Sequence, residues 1–257
     1  MRIQNAIPDF GKIALKRGAY LLYQLSQKTF QGPFSVYDFQ TIMILKKALD
    51  RKSNCVDVGA NVGHILKEII DAAPDGQHMA FEPIPRLCQK LQGKYGKRVE
   101  IYNCALSNQS GEQDFYYFED SPALSGLRER KSLGNHSVVP IKVPTMKLDN
   151  VWPYDRPIDL IKIDVEGAEL SVLQGALDTL RRNRPTVLFE WGLGGADEFG
   201  ATPEELFDLL MECGLSLSLM EYWLQGKKPF EKQEFCGQFY KHYNYFFIAY
   251  DPAKHRR

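Results

Sequence analysis

The sequence predicts an open, doubly wound α/β sheet of seven strands, mostly parallel with an antiparallel last strand, preceded by an N-terminal helical extension. Three observations predict it. Short apolar runs alternate with helical patterns from Asn54 to Cys104 and again from Ile158 to Cys213, a rhythm that means right-handed βαβ units and a parallel sheet. The first apolar run ends in a glycine-rich turn, Val58-Gly59-Ala60-Asn61-Val62-Gly63, of the kind that leads a strand into a helix. The 257 residues, 44% hydrophobic and 25% charged, fit one domain with a sizeable core.

Residues 1–50 read as the extension and 51–257 as the α/β domain. Within the extension, Lys12, Lys16, Arg17 and Lys28 alternate with Ile13, Leu15, Leu21, Leu22 and Leu25. That is a helix packed on the domain or closing over its site, or else a membrane-surface helix. Gly32-Pro33 breaks the pattern and Phe39–Leu49 resumes it. Cys55–Val58 is the first strand, and Val62–Ala73 is a helix stopped by Pro74-Asp75-Gly76. His78–Phe81, Pro85–Tyr95 and Val99–Cys104 follow as strand, helix and strand. Residues 107–147 interrupt the rhythm, with Gln113–Phe118 and Val138–Val143 as a β excursion around the polar loop 119–137. Ile158–Val165 is a strand, Ala168–Leu180 a helix and Thr186–Phe189 a fifth strand. Thr202-Pro203-Glu204-Glu205 opens a helix with Thr as N-cap and Pro at the first helical position, and Gly214 ends it. Leu215–Met220 and Tyr245–Tyr250 are the last two strands, antiparallel to each other.

The bulk properties exclude several classes. The 32 basic and 32 acidic residues cancel, which argues against a broad electrostatic funnel for nucleic acid. The cysteines at 55, 88, 104, 213 and 236 form no C-x-x-C pair and no zinc spacing; they read as reduced thiols of a cytoplasmic protein. No stretch approaches the ~20 apolar residues that span a bilayer, and the longest N-terminal apolar run, Ala19–Tyr23, is too short for a signal peptide. Stable membrane insertion is not expected.

In an open α/β sheet, ligands bind beyond the carboxyl ends of the strands. At the first such end, Gly59 and Gly63 let the backbone turn and approach a ligand, with Ala60 and Asn61 between them. The helix N-terminus that follows favours an anion, and Asp57 is placed to hold an ammonium. Together these suit the methionine half of S-adenosyl-L-methionine. A dinucleotide fingerprint would have glycine where Asn61 and His64 stand. The second strand ends in Phe81-Glu82-Pro83, with Glu82 placed for a ribose diol. The third ends in Asn103-Cys104-Ala105-Leu106-Ser107, where a ring such as adenine could lie against Ala105 and Leu106. Ile161-Lys162-Ile163-Asp164-Val165-Glu166-Gly167-Ala168-Glu169 is the most specific run. Lys162 and Asp164 share a strand face. Asp164 and Glu166 project over the place of the methyl group, to stabilise a sulfonium or take a proton from a hydroxyl. Glu166 and Glu169 could instead only favour a helix N-terminus. Glu190 ends the fifth strand as a third carboxylate, and like charges close together raise one another's pKa. Three carboxylates could also bind a divalent cation, but no His flanks them at ligand spacing, so no metal is expected.

These runs, in this order, resemble the FkbM family of methyltransferases. The resemblance covers about residues 54–250. It implies a class I methyltransferase fold (Rossmann-like), S-adenosylmethionine as donor with S-adenosylhomocysteine as product, and O-methylation of a hydroxyl, often on a sugar or secondary metabolite. By position, Asp57, Gly59 and Glu82 match the family's cofactor contacts, and Asp164, Glu166 and Glu190 its acidic site.

On the substrate side, loop 119–137 carries Ser121, Ser125, Arg128, Arg130, Lys131 and His136. His136 is either a general base or an exposed loop histidine. Tyr222, Trp223, Phe230, Phe235, Phe239, Tyr240 and Tyr243 form an aromatic belt between the last two strands. It suits stacking of a glycan or lipid-linked acceptor, packing of a β insertion, or the face of a homodimer. A protein- or nucleic-acid-directed methyltransferase, a non-catalytic relative and a nicotinamide oxidoreductase are the alternatives. The strand end at Asp164 lacks the Asn/Asp-Pro-Pro-aromatic run that grips a flipped amine, intact site residues argue against loss of catalysis, and Asn61 argues against the oxidoreductase.

Overall fold

The computed structural model describes residues 36–129 and 136–254. The extension expected over residues 1–35, and Arg130 and Lys131 of the polar loop, lie outside the described residues. The described residues from Gln40 onward form one compact unit. The helix expected over Phe39–Leu49 is α1 (Val36–Ala48); it buries Thr41, Ile44 and Leu45, and the Thr41 hydroxyl reaches the Met220 sulfur at 3.8 Å.

In chain order the α/β part runs β1 (Cys55–Val58), α2 (His64–Ala72), β2 (His78–Phe81), α3 (Pro85–Tyr95), β3 (Val99–Tyr102), β4 (Ala105–Leu106), β5 (Gly111–Phe118) and β6 (Val138–Met146). It continues α4 (Leu148–Val151), β7 (Leu160–Ile163), α5 (Glu169–Gln174), α6 (Leu177–Asn183), β8 (Thr186–Glu190), α7 (Pro203–Glu212), β9 (Ser216–Leu219), α8 (Met220–Leu224), α9 (Lys232–Tyr240) and β10 (Phe246–Tyr250). The main sheet has seven strands in the order β3-β2-β1-β7-β8-β10-β9. Its pairs are parallel except those of β10, which is antiparallel to β8 and to β9. The expected architecture is thus present.

The chain lays β2 and β3 on one side of β1, then crosses back to β7 on the other. The order reverses between β1 and β7, and that reversal opens a crevice at the carboxyl ends of the two strands. Both are covered on both faces, hence their Val, Ile and Leu, interrupted once in each strand, by Asp57 and by Lys162. Val56, Val58, Ile161, Ile163, Val187 and Phe189 point into one core, with Leu170, Leu173, Leu206 and Leu210 of the covering helices. Phe189 stacks on Phe247 at 6.0 Å, and truncating so buried a ring costs about 3–5 kcal/mol. The other face carries Ala80 under Leu66, Ile70, Leu91 and Tyr95. Side chains alternate, so Asp57 and Lys162, paired in register, share the face opposite the larger core.

Two local expectations are corrected, and a third, the β excursion, is borne out with added detail. The helix over Ala168–Leu180 is two helices. A Cβ at Gly175 would lie 2.1 Å from the Ser107 carbonyl oxygen, so the chain bends there, and α6 restarts with Asp149 accepting from the Asp178 and Thr179 N–H groups at 3.0 and 2.8 Å. The β excursion is a separate three-stranded sheet, order β4-β6-β5, with a hairpin in register from Gly111↔Thr145 to Phe118↔Val138. The segment between the last two strands is helical, α8 and α9, and not a β insertion. Phe235, Cys236 and Phe239 bury one face of α9, and Glu231 and Glu234 cap its start reciprocally.

Candidate active site

On the β1 side of the crevice the turn is fixed by backbone. Gly59 has φ +74°, and a Cβ there would lie 1.9 Å from the Asp164 carbonyl oxygen; no other residue fits. Its N–H and that of Ala60 donate to the Phe81 carbonyl at 3.0 and 3.1 Å. Asn61, at φ +49°, donates its N–H to Glu82 Oε2 at 2.7 Å, and Ile84 N–H donates to Glu82 Oε1 at 2.8 Å. Glu82 is buried. Burial pushes its carboxyl up to about 7 against the pull of the Ile84 and Asn61 hydrogen bonds. Gly63 enters α2 at φ +82°, and the helix has neither a side-chain cap nor an acidic residue in its first turn. Those orphan N–H groups are left for an anion.

Asn103 Nδ2 donates to the carbonyls of Glu82 and Pro83 at 2.9 and 3.0 Å, tying the β3 end to the β2 end. Ala105 and Leu106 are strand residues of the small sheet, facing Thr145 and Met146. Ala105 packs with Ile84 and Leu87, and Leu106 joins the large core.

Between the two halves lies a buried ionic cluster. Lys162 Nζ donates to the Gly59 carbonyl at 2.8 Å and lies 3.4 Å from that of Val58. It is 3.3 Å from Asp57 Oδ1 and 3.6 Å from Asp164 Oδ2. Burial pushes the ammonium pKa down, but Asp57 and Asp164 more than offset this and hold it above the usual lysine value. Burial raises the Asp57 carboxyl against the opposing pull of Lys162. Where a ligand ammonium was expected beside Asp57, the chain supplies its own cation.

On the β7 side, Asp164 N–H donates to the Val58 carbonyl at 3.1 Å, welding the two strand ends. The loop beyond is drawn in by Glu169, which is buried. Glu169 Oε1 accepts from the Val165 and Gly167 N–H groups at 3.1 and 3.2 Å, and burial pushes the carboxyl up to about 7. That leaves Glu166 at φ +60°, a left-handed conformation that costs of order 1 kcal/mol or more in a non-glycine residue. Asp164, Glu166 and Glu190, each half-buried, bring carboxylate oxygens within 4.8 Å of one another. The small sheet reaches them. Tyr116 and Gly126 exchange backbone hydrogen bonds at 2.8 and 3.3 Å, a Cβ on Gly126 would stand 3.6 Å from that of Glu166, and the Arg128 guanidinium lies 5.2 Å from the Phe199 ring centre.

The structure thus brings Gly59, Ala60, Asn61, Gly63, Glu82 and Pro83 together at the ends of β1 and β2, and Asp164, Glu166 and Glu190 at the ends of β7 and β8. Elsewhere, His136 Nδ1 lies 2.9 Å from Asp120 Oδ2, with its ring edge-on to Phe118. Of the aromatic belt, Trp223, Phe235 and Phe239 are buried, whereas Tyr240 and Tyr243 are exposed. Sequence reasoning missed the hub role of Lys162 and the bracing role of Glu169. The signal for the first was available: Lys162 and Asp57 each interrupt an apolar strand, and a buried charge requires a partner.

Parallel β1, β2, β3, β7, β8 and β9 with an antiparallel β10 inserted next to β8, and a glycine turn at the reversal of order, form the sheet of a class I methyltransferase. Residues 57–217 match the methyltransferase FkbM domain, and the chain belongs to that family. It is 33% identical over 145 residues to the 2-O-methyltransferase NoeI of Sinorhizobium fredii (strain NBRC 101917 / NGR234), a match covering 50% of this chain and 59% of NoeI. It is 30% identical over 152 residues to methyltransferase sdnD of Sordaria araneosa, covering 47% of this chain and 59% of sdnD. The chain therefore matches little more than half the length of either relative. Among solved structures, the methyltransferase FkbM of Methylobacillus flagellatus KT aligns with a TM-score of 0.47 at 16% identity, over 79% of this chain and 44% of that one. No helix among the described residues is long and apolar enough to cross a membrane.

Proposed function

We propose that this chain transfers a methyl group to a hydroxyl of a small-molecule or glycan acceptor. The observation that carries this reading is the pairing of two carboxylate stations across one crevice: Glu82, closed into the glycine turn, and the Asp164, Glu166 and Glu190 group, within 4.8 Å of one another. When bound, S-adenosylmethionine supplies a methyl group on a sulfonium and leaves as S-adenosylhomocysteine. The residues present fit it. The uncapped start of α2 and the turn Gly59, Ala60, Asn61 and Gly63 suit the amino-acid end, since Gly59 leaves no room for a side chain. Glu82, with Pro83 behind it, retains lone pairs on both oxygens for a diol. Asn103, Ala105 and Leu106 border the purine end. Asp57 acts through Lys162 on the turn.

On the acceptor side the carboxylates attract the hydroxyl, and Glu166 or Glu190 takes its proton as the new O–C bond forms. Asp164, nearest the turn, stabilises positive charge at the donor. The relation to a 2-O-methyltransferase supports oxygen as the accepting atom, and the zero formal net charge supports a small acceptor over a nucleic acid. In this reading residues 51–257 carry the activity and 1–50 are an accessory helical extension. The five unpaired, buried cysteines support a cytoplasmic setting. Calorimetric titration with S-adenosylmethionine, S-adenosylhomocysteine and NAD tests the donor, with both adenosyl ligands expected to bind. Labelled methyl transfer to a panel of sugars and hydroxylated metabolites tests the acceptor. Binding of NAD alone would sink the reading.

A further inference from the structure

We propose that Lys162 is a positioning residue that sets the shape and charge of the donor station by holding the Gly59 carbonyl and the Asp164 carboxylate on one buried ammonium. The proposal rests on the donor reading above.

Lys162 stands in the middle of β7, in register with Asp57 of β1, and its side chain is 12% exposed. Bringing an ammonium there costs several kcal/mol unless it is well paired. One partner would serve for neutralisation, and Asp57 at 3.3 Å is that partner. The remaining contacts do something else. Nζ donates to the Gly59 carbonyl at 2.8 Å, its shortest contact, and stands 3.6 Å from Asp164 Oδ2. The Gly59–Ala60 peptide is held at one end by the Ala60 N–H, which donates to the Phe81 carbonyl at 3.1 Å, and the ammonium holds its other end through the Gly59 carbonyl. The two bonds together fix the peptide plane at a residue with no side chain of its own to limit it, next to the Asn61 N–H that reaches Glu82.

The charges point the same way. Asp57 and Lys162 cancel, so the cluster presents the net negative charge of Asp164 toward the crevice. A sulfonium is attracted by that charge and a neutral thioether is not. Lys162 therefore holds the carboxylate that distinguishes donor from product without neutralising the site.

Removing Lys162 alone leaves Asp57 buried and unpaired, so K162M is compared with the charge-matched D57N/K162M. Thermal melting and calorimetric titration with S-adenosylmethionine and S-adenosylhomocysteine are run on both, on D57N and on the wild-type chain. The expected result is a lowered melting temperature in K162M that D57N/K162M largely restores. Affinity for S-adenosylmethionine stays at least 10-fold down in both variants and falls further than affinity for S-adenosylhomocysteine. D57N alone loses less donor affinity than K162M, because Lys162 still holds Gly59 and Asp164. Recovery of wild-type donor affinity in D57N/K162M overturns the proposal, since Lys162 then only neutralises Asp57. If the double variant does not fold, D57N decides: a loss as large as that of K162M overturns the proposal, and a clearly smaller loss upholds it. A wild-type chain that binds neither adenosyl ligand removes the donor reading, and this proposal with it.

Discussion

Glu82 and Glu166 are glutamates in strand-end loops on the same edge of one sheet, held in opposite ways. Glu82 is 3% exposed, and both of its oxygens accept backbone N–H groups from the turn it closes. Glu166 is half-buried and carries a strained φ of +60°, thrust out by a loop that Glu169 pulls in from beneath. In the proposed reading the first belongs to the wall of the donor site and the second to the acceptor side. A donor common to many reactions can be met by a fixed, backbone-built cradle, whereas the acceptor side needs a group that can exchange a proton.

The largest expected effect breaks the cradle. Gly59→Ala puts a methyl group 1.9 Å from a backbone oxygen; this costs on the order of 3 kcal/mol of stability, and calorimetry should find no S-adenosylmethionine binding in whatever folds. On the acceptor side, Glu166→Gln should lower methyl transfer about 100-fold while the donor Kd stays within about 2-fold. An equal loss of donor affinity would erase the distinction between the two stations. Glu82→Gln replaces an acceptor with a donor facing a backbone N–H, and should weaken S-adenosylmethionine binding about 20-fold, or about 1.8 kcal/mol.

The smallest effect concerns the brace. Glu169 titrates near 7 when folded against an ordinary value of 4.5, so the folded chain holds the extra proton. Its contribution to stability is present in full below pH 4.5 and is lost as pH rises through about 7. Glu169→Gln keeps an acceptor for Val165 and Gly167, so its melting temperature should vary less than that of the wild type between pH 4.5 and 7. Near pH 8 it should equal or exceed the wild type. An unchanged pH profile would show that Glu169 is ionised throughout.

Much of the cradle was legible because its signals are local. A glycine at a strand end, an acid at the next strand end and a charged run breaking an apolar strand each announce themselves within a few residues. The Asp164, Glu166 and Glu190 group was legible as three strand-end acids, since a parallel sheet carries such residues to one edge. What escaped depends on contacts far apart in the chain. Lys162 acquires its role from Gly59, and the break at Gly175 comes from the Ser107 backbone. The helices α8 and α9 were hidden because seven aromatic residues in 222–243 give as strong a β propensity as a helical period.

The small sheet formed by β4, β6 and β5 has a consequence of its own. It enters the chain between β3 and β7, after the cradle is complete and before the welded strand end begins, and it supplies no strand to the main sheet. Its hairpin nevertheless reaches the neighbourhood of Glu166, with Arg128 lying against Phe199. A change in the length of residues 107–147 therefore falls outside the sheet that carries Gly59 and Glu82, and chain added to a surface loop costs little entropy.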